Sequence, residues 1–433
     1  MEEKLYLGLG RRIITPEIGE CLYGYRPNVK STAVNDDLTA SAFYFKQGEV
    51  QALLVSITVC TISNHIADNL REAIEEKYCI PKECCIIHAI HTHSGPNLSG
   101  NYGWGDSNPE YINGIFIPNV LLAVEDAIQE PKPAKMSVAS GESLVGINRR
   151  ELKEDNVIYL GQNPWGPFDP KMTVISFADE DGVPMANIVH YGAHATCAGC
   201  NTEISRDWPG VMIDSLEAES GAFTAFVNGP EGDVGPRLTN GKTTGVGDIA
   251  YAMRHGAVAA NDAIRIYNTR GGYSTPRLST YEGALDIPLA SRIPLDVAKE
   301  EHKKYEGETI NHRGQMEKYY RDVINSYADG YEEKNCYSVK QTIIRLGDVA
   351  LVAFPYELFS EIGLRINKAS KIPYVLSLSN SNGSASYFST ESELCRGGYE
   401  IKMFLTKNLQ PYAPNADFYL VTKTLENLTK TED

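Results

Sequence analysis

Positive charge is scarce in this chain of 433 residues: 40 Lys and Arg stand against 56 Asp and Glu, a formal net charge of −16. That balance argues against nucleic acid and anionic membrane surfaces as partners, since both attract basic patches. Nowhere do about 18 consecutive apolar residues occur, so no membrane-spanning helix is expected. The apolar run after Lys4 is too short for a signal peptide. The expectation is a cytoplasmic protein acting on a small-molecule substrate, without membrane insertion.

Other absences narrow the reading. The nine cysteines are odd in number, and Cys60, Cys84 and Cys85 fall inside apolar runs, as free buried thiols do in a reducing compartment. Cys197 and Cys200 form one CxxC, but no second pair completes the four ligands of a structural zinc site. Residues 241–243 end like a phosphate-binding loop, yet Pro236 stands where its first glycine belongs. Gly8 and Gly10 lack the third glycine of a dinucleotide fingerprint. No repeat, low-complexity tract or linker divides the chain. A single body over 1–433 is expected, with a charged helical excursion at about 295–331.

What the chain does have is clustered histidine. Residues 86–96 read IIHAIHTHSGP, placing His88, His91 and His93 where an apolar run gives way to a loop. Strand-like runs at 52–59 and 84–90 flank a helical stripe at 63–77, a βαβ unit that predicts a parallel central sheet. Further strands are expected at 5–14, 38–45, 135–145, 171–177, 186–191, 223–227, 278–289, 338–345, 349–354 and 374–378. Helices are expected at 109–128, 208–219, 248–267 and 417–428. The fold class is therefore α/β: a mixed, largely parallel sheet flanked by helices, with the active site at the C-terminal ends of strands.

On a strand, residues i and i+2 share a face, so His91 and His93 should lie side by side with His88 turned away. Two imidazoles aimed at one point suit a metal or a proton relay; without further partners they are ordinary core histidines. His190 and His194 end a second apolar strand. Ligands of open α/β sheets bind beyond strand carboxyl ends, so the two windows are expected to share a pocket. Spacing leaves open whether His190 and His194 share a helical face or are parted at Gly192.

From about residue 8 to 405 the chain resembles the catalytic domain of the neutral/alkaline non-lysosomal ceramidases, zinc amidohydrolases. The resemblance is carried by HTHSGP at 91–96, Asn148-Arg149, GDVGP at 232–236, the PxE ending at Glu357, and the tyrosines Tyr387 and Tyr399. It implies that His91, His194, Glu357 and Tyr387 hold one Zn2+ ion and that His93, Arg149 and Tyr399 line the reaction site. His93 would then move a proton while Arg149 and Tyr399 hydrogen-bond the oxyanion. Asp233 and Gly235 are implied at the substrate position. The family carries a serine where this chain has Gly235, which excludes a serine nucleophile and leaves zinc-activated water. Those ceramidases also carry a C-terminal β-sandwich domain beyond the region matched here. The implied reaction is hydrolysis of an amide, or alternatively an ester, in a small soluble N-acyl compound rather than ceramide. A non-catalytic binding protein that keeps the pocket is the competing expectation, and it rests on Gly235.

Overall fold

The computed structural model describes residues 3–432. Eight strands, β1 (Leu5–Ile13), β2 (Thr39–Gln47), β3 (Val50–Ile57), β4 (Cys85–Ala89), β5 (Lys132–Glu142), β6 (Lys171–Ala178), β7 (Pro184–Tyr191) and β8 (Phe223–Asn228), form the larger sheet. Their order is β8-β7-β6-β5-β1-β2-β3-β4. The sheet is mixed, as expected, but antiparallel pairing predominates over parallel. Tight turns with left-handed glycines, Gly48 and Gly182, join neighbouring strands directly as hairpins.

Among the described residues of this sheet, parallel pairing is confined to β3–β4 and β7–β8. Helix α1 (Asn64–Tyr78) makes the first crossover; its Ser63 side chain caps Ile66 N, and Ile66, Leu70 and Ile74 form the buried stripe. The segment expected as one helix at 109–128 carries a π-helical turn at Ile112–Phe116 before α2 (Ile117–Gln129). Pro118 explains the interruption: it has no N–H to return to the carbonyl four residues earlier. Residues 109–129 are long and apolar enough to cross a membrane, but Val120, Ala123, Val124 and Ala127 are buried in the core shared with β2 and β3. Close approach of α2 to β1 requires Gly8 and Gly10, where an added Cβ would lie 1.7 Å from Ala127 O and 2.1 Å from Ala123 O. Helices α3 (Asp207–Ser220), the second crossover, and α4 (Ile249–Tyr267) cover the β6–β7 side.

A second sheet of β9 (Leu278–Pro288), β10 (Cys336–Leu346), β11 (Val349–Ala353) and β12 (Tyr374–Leu378) packs face to face on the first. Phe43, Phe45, Leu54 and Phe177 meet Ile344, Leu351 and Leu376 in a fully buried layer, each side chain contributing about 1.5–3 kcal/mol. The excursion expected at about 295–331 forms α5 (Leu295–His302) and α6 (Asn311–Ala328). After it come α7 (Ser360–Ala369), α8 (Tyr399–Leu405) and α9 (Ala416–Thr429), which bury residues in the core of the second sheet.

The larger sheet curls until its edge strands β4 and β8 meet. Asn228 N of β8 donates to His88 Nε2 of β4 at 2.8 Å, and Ser56 Oγ of β3 donates to Phe226 O at 2.6 Å. Residues 379–382, which follow β12, fill the rest of the seam. Ser379 N donates to Asn228 O (3.2 Å), Ala89 N to Asn380 O (3.1 Å) and Asn382 N to Ile87 O (2.8 Å). His88, turned away from His91 as expected, lies in this seam with Nδ1 3.0 Å from Ser381 Oγ. Burial lowers its pKa to about 3.

Candidate functional site

Closure of the seam sets the two histidine windows against each other. β4 ends at Ala89, so His91 and His93 sit in the loop beyond the strand rather than on it. His91 adopts φ +71°, a left-handed conformation that a side chain other than glycine seldom takes and that turns its ring inward. Its Nδ1 lies 2.8 Å from Cys60 O. A carbonyl only accepts, so Nδ1 carries a proton and Nε2 is the nitrogen turned toward the site. His194 follows the same rule, with Nδ1 2.8 Å from Glu231 O and 3.1 Å from Val234 O. His190 is separate: it stays on β7 and its Nε2 lies 3.0 Å from Ser377 O. The parting at Gly192 is the arrangement observed.

Glu357 and Tyr387 reach the site as register partners. The two-residue strands Glu357–Leu358 and Tyr387–Phe388 pair in parallel with Glu357 opposite Tyr387. Glu357 Oε2 lies 3.4 Å from His91 Nε2 and 3.2 Å from His194 Nε2. Tyr387 stacks on His194 with an interplanar angle of 9°. Among the described residues, His194 Nε2 and Glu357 Oε2 are buried without a hydrogen-bond partner. Burial pushes the Glu357 carboxyl up, but the adjoining His91 and His194 outweigh it and hold the group well below the usual carboxylate range. Burial also lowers His194 to about 3. A neutral imidazole beside an ionised carboxylate, both lacking donors, is a cation's environment, and carbonyl-anchored Nδ1 atoms are how ligating histidines are oriented. His91, His194 and Glu357 thus form a candidate metal-binding group.

A cavity of about 280 Å³ opens over this group, and His91, His93, Glu357, Tyr387 and Tyr399 stand in its wall. His93 Nε2 is 3.3 Å from His91 Nε2. Burial, reinforced by His91 and His194, holds His93 well below the usual histidine range. Gly24 lets the chain pass this ring, since a Cβ there would sit 2.4 Å from His93 Nδ1. Tyr399 opens α8 and packs edge-on against Tyr387 at 5.7 Å between ring centroids.

Three expected site residues lie elsewhere. Arg149 stands behind Tyr387, donating from Nη2 to its hydroxyl (3.0 Å) and from Nε to Glu400 (2.9 Å); it supports the tyrosine instead of facing the cavity. Asp233 accepts from Ser360 N (2.7 Å) and Asn148 Nδ2 (3.1 Å), so its carboxylate is committed to joining the 228–237 loop to α7. Gly235 lies in the short strand Val234–Pro236, opposite Ile147, with Thr243 where a Cβ would point. Neither lines the cavity. The loop folds them inward because its carbonyls must orient His194.

Other residues at the site were not singled out from sequence. Glu231 is fully buried and, with burial the largest cause, raised to about 8; it accepts from Asn380 Nδ2 at 2.6 Å. The Gly- and Pro-dense loop was its only signal. Tyr23 and Cys60 also line the cavity. Cys197 is buried and Cys200 exposed, and both are free thiols. The α6 residues Gln315, Lys318, Tyr319 and Asp322 make one cavity wall, so the charged excursion belongs to the site.

The fold has counterparts among known proteins. The crystal structure of neutral ceramidase from Pseudomonas aeruginosa matches with a TM-score of 0.75 over 99% of this chain and 74% of that one, at 19% identity. Curated sequences agree: the P. aeruginosa neutral ceramidase is 25% identical over 251 residues, 53% of this chain. This chain is neutral-ceramidase-like. Neutral ceramidase B of Dictyostelium discoideum is 27% identical over 259 residues, 55% of this chain. A ceramidase complexed with C2 superposes with the same TM-score of 0.75, covering 100% of this chain and 77% of that one at 19% identity. No protein-family model matches. The ceramidase-like chain spans little more than a third of the curated relatives it matches, 37% and 36% of their lengths.

Proposed function

We propose that this chain is a zinc-dependent amidohydrolase that cleaves the C–N bond of a small soluble N-acyl compound. The observation that carries the reading is the convergence of His91 Nε2, His194 Nε2 and Glu357 Oε2, with separations of 3.2 and 3.4 Å to the carboxylate oxygen. Zinc bonds of about 2.0–2.1 Å in a tetrahedron give ligand-to-ligand edges of roughly 3.3 Å, which those separations match. Tyr387, register partner of Glu357, is the fourth residue of the set. Zinc in such a site polarises a carbonyl and acidifies water.

The chain's own groups supply the rest. His93, kept neutral by burial, takes a proton from the attacking water and returns it to the leaving nitrogen. Tyr399 donates its hydroxyl to the carbonyl oxygen as negative charge develops there. Arg149 acts at one remove, fixing the Tyr387 hydroxyl through its 3.0 Å hydrogen bond. Similarity to neutral ceramidases favours an amide as the bond cleaved. The cavity of about 280 Å³ favours a compact substrate, because it falls just below the roughly 300–1,000 Å³ usual for ligand pockets. The test is a panel of N-acyl compounds assayed with and without chelator. Turnover should be lost on chelation, return with zinc, and be absent in His91→Ala. Turnover indifferent to chelation and to that substitution sinks the reading.

A further inference from the structure

The helix that walls the cavity turns a polar face toward it. On α6, Gln315, Lys318, Tyr319 and Asp322 line the cavity, and their three- and four-residue spacing puts them on one side of the helix. A helical stripe that faces the body of a protein is ordinarily apolar. Apart from Tyr319 the members here are polar, and Lys318 and Asp322 form an ion pair whose side chains stay 44% and 37% exposed. An ammonium has three donors and a carboxylate two acceptor oxygens, so both groups keep capacity for a ligand. The face begins beside the reaction site, since His312 of α6 packs edge-on against Tyr399 at 5.9 Å between ring centroids.

The rest of the wall mixes ring faces with small polar groups. Tyr23, Tyr102 and Trp104 supply aromatic surface, with Tyr23 and Trp104 tilted against each other at 5.9 Å. Ser384, Ser386 and Thr406 supply hydroxyls, while Met403 and Leu409 are its large aliphatic side chains. An alkyl chain in this space would desolvate the polar face without answering it. The Lys318–Asp322 pair offers one charge of each sign, which suits a neutral polar ligand better than an ion. Lys407, also in the wall, is solvent-exposed and adds a donor.

Resting on the amidohydrolase reading, we infer that the compound cleaved is an N-acylated amino sugar, held with its ring against the aromatic side chains and its hydroxyls on Lys318 and Asp322. A sugar ring presents an apolar C–H face and an edge of hydroxyls, each both donor and acceptor; aromatic surface beside a Lys–Asp pair answers both. A cavity of about 150 Å³ holds benzene, so one of about 280 Å³ holds one substituted ring with a short acyl group. Hydrolysis adds water across the C–N bond and frees the amino sugar and a carboxylic acid.

The probes are the 2-acetamido derivatives of glucose, galactose and mannose, assayed on the zinc-loaded full chain beside N-acetylcyclohexylamine, which keeps the ring and lacks the hydroxyls. The best sugar should exceed N-acetylcyclohexylamine in kcat/KM by about tenfold or more, the scale of one hydrogen bond to a charged group. Asp322→Ala should cut that ratio about tenfold, mainly through the KM of the sugar, and leave N-acetylcyclohexylamine turnover as in the parent, while Asp322→Asn restores part of the ratio. Because the pair is solvent-exposed, breaking it costs the fold little. A ratio near one for all three sugars, or one that survives both Asp322→Ala and Lys318→Met, overturns the sugar assignment and leaves the hydrolase reading standing. If no member is cleaved, the hydrolase reading falls for this class. Calorimetric titration with N-acetylglucosamine then decides the sugar site: binding weakened about tenfold by Asp322→Ala supports it, and no binding, or equal binding, overturns it.

Discussion

Replacing Tyr399 with phenylalanine separates the two tyrosines of the site. The Tyr399 ring packs against Tyr387 at 5.7 Å and His312 at 5.9 Å, contacts that phenylalanine keeps. Its hydroxyl makes no hydrogen bond to protein among the described residues. Stability of Tyr399→Phe should therefore stay within about 0.5 kcal/mol of the parent, and zinc content should not change. The loss falls on the chemistry. One donor to a developing oxyanion is worth roughly 10²–10³ in kcat, or about 2.7–4 kcal/mol. Tyr387→Phe should behave in the opposite way. It strips Arg149 Nη2, in a residue 2% exposed, of its acceptor, an unsatisfied donor costing about 1–3 kcal/mol, and it removes an expected ligand. Thermal denaturation, metal analysis and kcat on the two variants give the answer. A Tyr399→Phe enzyme with unchanged kcat, or one that sheds its metal, would refute the assignment.

Two further predictions test the surroundings. Gly24→Ala places a Cβ 2.4 Å from His93 Nδ1 at a φ of +122°. Backbone strain of about 1–3 kcal/mol and a displaced His93 should lower kcat while metal content holds; kinetics like the parent's would remove His93 from proton transfer. Acid should weaken the fold through His190, which burial lowers from 6.5 to about 4. The unfolded chain then takes the proton first. Stability from this group, about 3 kcal/mol, is complete above pH 6.5 and is lost as pH falls toward 4. Urea melts at pH 7 and pH 4.5 should show a smaller acid loss in His190→Gln, and equal losses would contradict the linkage.

Local pattern carried much of this structure but not its closure. The stripe of Ile66, Leu70 and Ile74 and the flanking apolar runs announced the first βαβ unit, and the HTH window announced a site at its end. The largely parallel sheet was misjudged because a strand's apolar face looks the same whether a hairpin or a helix brings the next strand. His194 could be placed near His91 only by strand-end logic. The geometric cause, the curl that joins β4 to β8, depends on contacts between residues such as His88 and Asn228, 140 positions apart. Tyr387 carries no local signal at all among 25 tyrosines. The α6 wall was hidden similarly, since a charged helix reads as surface until it is seen to lean over the cavity.

The seam between β4 and β8 has a thermodynamic corollary. His91 lies beyond one side of it, His194 belongs to the other half of the sheet, and Glu357 and Tyr387 flank the segment 379–382 that fills it. An ion held by all of them is a cross-link among stretches remote in sequence, formed only when the edges are together. Its apparent affinity is then the intrinsic one scaled by the fraction of molecules with the seam shut. By the same linkage, saturating ion would suppress opening of the sheet by RT ln(1 + [L]/Kd), about 2.7 kcal/mol at a hundredfold excess over Kd. Amide protons of 86–89 and 226–228 would report that coupling, exchanging slowly in the loaded protein and faster as the ion is withdrawn.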